Sequence, residues 1–304
     1  MTNIYSSRAA LTALRELDTI NRDLASTTER ISTGRRISSA KDGAALWAIA
    51  RTLESDISMS ATLTTQLGLV EGTLSAAASG LDAANTALQD LRAQLVLARA
   101  NGADRAAIQL EIDGLIDTLQ AAASDAKVGN VEILEQSASG SYQAVKSFLV
   151  HVTRSGASTT VTDMDLDVRG VALINNNADD GILDESRTVN GTTSTVLAID
   201  VSGYTDSAGD QQTMDDLIDI VDAAITDVTS AETTVGALVN QVESHSAMVA
   251  TLATAREQAL VSLVGADAEE EAARKEALLV RQQLAIEALA ISNTSLSTIL
   301  RLFE

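Results

Sequence analysis

The side chains able to do chemistry are few, and their spacing assigns them none. The 304-residue chain holds two histidines, His151 and His245, and no cysteine. That removes disulfides, thiolate nucleophiles and Cys-ligated zinc together. A zinc site built on the two histidines needs carboxylates at metal-ligand spacing, and neither an HExxH nor an H-x3–5-H pattern occurs. The nucleophile elbow GxSxG, the phosphate loop GxxxxGKS/T and a GxGxxG following a strand are all missing. The segment Asn175–Gly181 has the look of a calcium loop, but such a loop needs glycine sixth and glutamate twelfth. Counted from Asn175, those places hold Asp180 and Ser186, so the segment reads as an acidic turn. Asp163, Asp165 and Asp167 share one strand face, neighbours ~7 Å apart. They read as a solvated edge that discourages strand pairing. Asp215, Asp216, Asp219 and Asp222 read as the opening of a helix, where the first of them suits the positive end of the helix dipole. The expectation is no enzyme, no cofactor and no metal.

The elements that carry these residues follow from composition and periodicity. Proline is absent, aromatics make up 2% and apolar residues 45%. Cores must therefore be built from Ala, Leu, Ile and Val, and helices can run long without interruption. At the N-terminus Ile4, Leu11, Leu14, Leu17, Leu24 and Ile31 recur at steps of seven, three or their multiples, an amphipathic seam of coiled-coil character. Arg8, Arg15 and Arg22 flank it every seven residues. At the C-terminus Leu289, Leu296 and Phe303 repeat every seven, with Ala285, Ser292 and Ile299 as the second seam position. Leu284, Ile286 and Ile291 widen the apolar face beyond one stripe, as in a helix that is buried or awaits partners.

Between these ends, 44–100 and 104–127 read as helices broken near Asn101-Gly102, and 214–264 as one long helix or two. Gly236 and Gly265 are the expected weak points. From Gly129 to Gly203 the glycines stand 10–16 residues apart, close to the turn spacing of an all-β segment. Tyr142–Thr153, Val161–Val168 and Val196–Val201 read as its strands. The fold expected is mainly α, a long coiled-coil-like helical rod from both chain ends with a small β-rich outer insertion. A chain that leaves such a rod and returns to it has its termini side by side.

Charge limits the partners. With 42 acidic and 21 basic residues the chain carries −21, which disfavours phosphate backbones and anionic lipid. Residues 1–41 hold a balance of +3 and residues 266–304 one of −3, so the two ends are complementary. No run reaches the ~18 apolar residues of a membrane span. The start, MTNIYSSRAALTAL, lacks a basic region followed by an apolar one.

Two segments resemble a known family. Arg30-Ile31-Ser32-Thr33-Gly34-Arg35-Arg36-Ile37-Ser38-Ser39-Ala40-Lys41-Asp42-Gly43-Ala44-Ala45 is similar to the ERISTGxRIxSAKDDAA signature of bacterial flagellin. The following Leu46-Trp47-Ala48-Ile49-Ala50 resembles its alphaproteobacterial form. The stretch Gln282–Asn293, with Ile299-Leu300-Arg301-Leu302-Phe303 closing the chain, resembles the QQLxIQALSIAN…VLxLFR ending. Val128–Leu134 is similar to the family's FNGxxLL turn without its aromatic. Gly43 stands where Asp is common, and Glu304 follows the usual last residue. The resemblance covers about 1–136 and 211–304.

It implies a structural subunit that self-assembles into an open helical filament for swimming motility. Residues 1–41 and 266–304 would form terminal helices of an inner layer, ordered only when neighbouring subunits bury their faces. Residues 42–137 and 211–265 would form a helical rod domain, and 138–210 a variable, surface-exposed β-rich region. Leu11, Leu14, Leu17, Leu24, Ile31, Leu284, Leu289, Ile291, Leu296, Ile299 and Phe303 are the candidate self-assembly residues. Arg36, Lys41 and Asp42 fall on the hinge between layers. The resemblance further implies type III export without a cleavable signal peptide, an extracellular flagellar location, and an export chaperone, junction and cap proteins as partners beside further copies of the chain. Alternative readings are a hook–filament junction protein of the same superfamily, a monomeric helical binding module, and an enzyme lodged in the outer region.

Overall fold

The structure is a computed structural model, and it describes residues 8–129, 131–136, 144–155, 158–176 and 180–301. Five α-helices carry most of these: α1 (Arg8–Thr33), α2 (Ala40–Ala98), α3 (Arg105–Asp125), α4 (Ala208–Val264) and α5 (Ala268–Arg301). Between α3 and α4 lie eight short strands, each paired with one other. The fold is mainly α with long terminal helices and a small strand-containing insertion, as the sequence leads one to expect. The chain divides into two compact units, one of residues 1–59 and 252–304, the other of residues 60–251.

The larger unit is held by one heptad core. On α2 one buried seam runs through Leu63, Leu67, Val70, Leu74, Ala77, Leu81, Ala84, Leu88, Leu91, Leu95 and Ala98. These fall at alternating steps of four and three, the seam of a coiled coil. On α4 Met214, Leu217, Val221, Ala224, Val228, Ala231 and Val235 keep the same alternation. The two stretches run antiparallel, because Asn85 donates to Glu232, Arg92 pairs with Asp222 and Arg99 pairs with Asp215. Ile112, Ile116 and Leu119 of α3 join the same core. At Gly80 an added Cβ would lie 2.6 Å from a Leu134 methyl and 2.7 Å from the Ala126 Cβ. Only glycine lets α2 approach that closely.

The insertion begins with a hairpin of β1 (Lys127–Val128) and β2 (Val131–Glu132), after which β3 (Glu135–Gln136) pairs in parallel with β6 (Ile174–Asn175). The longest hairpin joins β4 (Val145–Ser155) to β5 (Ser158–Asp167), with a bulge between Leu149 and His151. Along β5 Met164 and Leu166 are buried while Asp163, Asp165 and Asp167 face solvent, the alternation expected of a half-covered strand. A last hairpin, β7 (Arg187–Val189) and β8 (Thr192–Ser194), turns at Asn190-Gly191.

Several expectations need correction. Val196–Val201 forms no strand; it holds a single 3-10 turn at Val196–Ala198 whose Val196 plugs the core. Gly236 does not interrupt α4, since the heptad packing on either side spans it. The acidic run 215–222 does not open α4, which starts at Ala208; Asp210 takes the first turn, and its carboxylate accepts from Thr205. Tyr142, the start of one expected strand, lies outside the described residues.

Candidate functional site

The smaller unit contains α1 and α5 packed antiparallel, with Gln282 donating to Asn21 at 2.6 Å and Arg30 pairing with Glu271 at 3.3 Å. Their contact is a narrow heptad seam. Ile20 and Leu278 are buried, Ala285 joins them, and Leu17 and Leu24 pack alongside half-buried. Thr27 completes the α1 stripe and half-buried Leu289 the α5 stripe.

Of the candidate assembly residues, Leu17, Leu24 and Leu289 therefore sit on the seam. Leu11, Leu14, Ile31, Leu284 and Ile291 do not; they are exposed. The N-terminal seam expected through Leu11 and Leu14 is thus corrected to one through Ala10, Leu17, Ile20, Leu24 and Thr27. Small or polar seam residues are inconspicuous beside leucines that occupy a neighbouring face. Ile4, Phe303 and the side chains of Leu296 and Ile299 lie outside the described residues. On α5 two further stripes stay uncovered, Leu279 with Ile286 and Val280 with Leu284 and Ile291, all 43–71% exposed. Soluble monomers seldom leave so many large apolar side chains together on one helix.

The link after α1 is built by backbone geometry. Gly34 ends the helix with φ +65°, the left-handed conformation in which glycine carries no Cβ penalty. Arg35 then pairs with Gly265 as an isolated antiparallel bridge. The Arg36 amide donates to the Val264 carbonyl at 2.7 Å, and Ala266 donates back to Gly34 at 2.9 Å. Arg36 also reaches the Leu263 carbonyl through its guanidinium, at 3.2 Å. Below this clasp Ile37, Ala50 and Val264 are buried, with Leu46, Trp47, Leu260 and Leu263 against them.

Asp42 organises the start of α2. Its carboxylate accepts the backbone amides of Ser38 at 3.1 Å and Ser39 at 2.9 Å, and the Ser39 hydroxyl at 2.9 Å. An acid three residues past the helix-capping position satisfies orphan amides this way. The Ser39 and Ser38 hydrogen bonds hold the Asp42 carboxyl below the usual carboxylate range. Gly43 has φ 165° and ψ 91°, extended values that set this first turn apart from the rest of α2. Burial pushes the Glu54 carboxyl up, but the guanidiniums of Arg35 and Arg51 outweigh it and hold the group low. Lys41 is exposed and joins none of these contacts.

In the larger unit Asp216 receives Asn190 at 2.9 Å, Thr192 at 2.8 Å and Gln212 at 2.9 Å. These bonds, Asn190's first, hold its carboxyl low, and they tie the β7–β8 hairpin to α4. His151 and His245 face each other with ring centroids 6.4 Å apart. Among the described residues, no group of three metal-ligating side chains occurs. Nor is any helix there long and apolar enough to cross a membrane.

Long terminal helices, a narrow seam and uncovered apolar stripes define a structural helical subunit of the kind that associates with its own copies. Comparison with known proteins gives the family. Residues 4–139 match the bacterial flagellin N-terminal helical region and residues 218–303 the C-terminal one. The chain is 33% identical to Flagellin C of Rhizobium meliloti and 30% identical to a flagellin of Brucella melitensis, over the full length of each pair. Against Flagellin FljM of Caulobacter vibrioides it is 28% identical, over the whole chain and 99% of the relative. The fold is also similar to a solved structure described as a flagellar hook-associated protein from Vibrio parahaemolyticus, with TM-score 0.52 and 17% identity over 74% of this chain and all of that one. The chain belongs to the bacterial flagellin family. It is a structural filament subunit of the flagellum and not an enzyme.

Proposed function

We propose that this subunit polymerises through α1 and α5, the two helices that close the chain. Each copy contributes its exposed leucines and isoleucines to an open helical homopolymer outside the cell. The observation that carries this reading is the exposure of Leu279, Val280, Leu284, Ile286 and Ile291 on α5, at 43–71%. Repetition of one such non-closing contact generates a filament. Leu11, Leu14 and Ile31 of α1 extend the same kind of surface, and Leu296, Ile299 and Phe303 continue the sequence pattern of α5.

Residues 1–41 and 266–304 act as the inner layer, 42–137 and 211–265 as the rod domain, and 138–210 as the outward-facing region. The clasp of Arg36 on Leu263 and Val264, with Asp42 capping α2 and Lys41 beside it, serves as the hinge. The chain leaves the cell by type III export, meeting an export chaperone and then cap and junction proteins. The test is seeded filament growth by Leu284→Asp and Ile291→Asp variants, followed by sedimentation and electron microscopy. Loss of filaments with unchanged helical content supports the reading; growth at the unsubstituted rate overturns it.

A further inference from the structure

The geometry points to a carboxylate-binding groove between α1 and α5 that takes an acidic side chain from a second copy of the chain. This rests on the assembly reading above and names what one of its contacts recognises. Beside the apolar seam lies a cavity of about 360 Å³. Asp23, Thr27 and Arg30 line it from α1, and Arg274, Leu278 and Arg281 from α5. On each helix the three fall at i, i+4 and i+7, the spacing of one face. Three guanidiniums and one carboxylate line it, with Glu271 and Glu270 beside it pairing two of the three, so the local charge is balanced in a chain that carries −21 overall.

The groove's own acids leave it unsaturated. Arg30 is held by Glu271 at 3.3 Å, and Arg274 reaches the exposed Glu270 at 3.7 Å. Arg281 makes no ion pair with any described residue. Its planar fork, next to Arg274 on the same helix face, suits two-point binding of a carboxylate. Buried Leu278 and Thr27 form part of its floor. The donor we infer is a further copy, whose surface offers acids in excess of bases, 42 to 21. Glu16 of α1 and Glu276 and Glu287 of α5 are exposed and form no ion pair among the described residues. A copy stacked along these helices presents them.

The experiment uses full-length protein with Arg281→Lys, assembled from equal amounts of isotopically light and heavy chains and treated with a carbodiimide. Cross-links joining the substituted side chain to a carboxylate of opposite isotope label, present in filaments and absent from dilute monomer, are expected. Same-label links only, or none, in normally formed filaments overturn the groove while leaving the assembly reading intact. In parallel, Arg281→Glu is expected to raise the critical concentration about tenfold, the scale of one charge-assisted bond; an unchanged value overturns the proposal. Inorganic phosphate titrated into the monomer is expected to bind no better than to Arg281→Gln. Tight phosphate binding lost in that variant identifies a small-anion site and likewise overturns it. If the unsubstituted chain grows no filaments, the assembly reading falls first and this inference with it.

Discussion

Replacing Ile20 with alanine probes the seam where it is thinnest. Burying Ile20 and Leu278 contributes about 2 kcal/mol each and half-burying Leu17 and Leu24 about 1 kcal/mol each, so the seam is worth about 6 kcal/mol in total. Against it stands the conformational entropy lost when the 26 residues of α1 order. Ile20 is buried with Leu278 and Ala285, so Ile20→Ala removes about 3 kcal/mol, near half of the seam. If α1 and α5 order together as neighbours dock, that loss falls on assembly and raises the critical concentration about 150-fold. The assay is sedimentation of seeded filaments across a concentration series, with Arg15→Ala on the exposed face as control. A critical concentration within threefold of the parent protein would refute the reasoning, because the seam would then be irrelevant to docking.

Three further outcomes follow from the same contacts. Arg30→Ala leaves Glu271, which is 5% exposed, without its cation and should destabilise the α1–α5 pair by about 3 kcal/mol; adding Glu271→Gln should recover most of it in hydrogen exchange of α1 amides. Because the Asp42 carboxyl is held low, its contribution is present above the ordinary carboxylate range and lost as pH falls through its own lower value. Exchange of the Ser38 and Ser39 amides should therefore accelerate in acid beyond the intrinsic rate, and Asp42→Asn should show the fast exchange already at neutral pH. Asp216→Ala should release the β7–β8 hairpin, read as new proteolytic cleavage within 187–194 while the cleavage pattern of 60–98 stays unchanged.

Much of this architecture was legible in the chain, for reasons that can be assigned to particular residues. Absent proline permits helices as long as α2 and α4, and the glycine spacing after Gly129 marks where helix gives way to strand. The two-fold alternation at Asp163–Asp167 defines β5 because only one strand face is covered. What escaped were seams written in small residues. Leu63 to Ala98 alternates at four and three, but Ala77, Ala84 and Ala98 hold three of the eleven positions and resemble solvent-facing alanines. On α1, Leu11 and Leu14 on a neighbouring exposed face drew the expected seam away from Ile20. Long-range polar pairs were beyond reach: nothing near Arg30 announces Glu271, and nothing near Asp216 announces Asn190 and Thr192. The tertiary fold also places the contacts of Arg36, which donates to carbonyls of residues 263 and 264 that any sequence would supply.

If the terminal helices drive polymerisation of this subunit, electron microscopy of purified full-length protein mixed with filament seeds, beside a chain lacking 266–304, shows it. Long uniform filaments from the full chain and none from the shortened one, with the helical signal of residues 60–251 retained in both, is the predicted result. Filaments of equal length and yield from the shortened chain would contradict it.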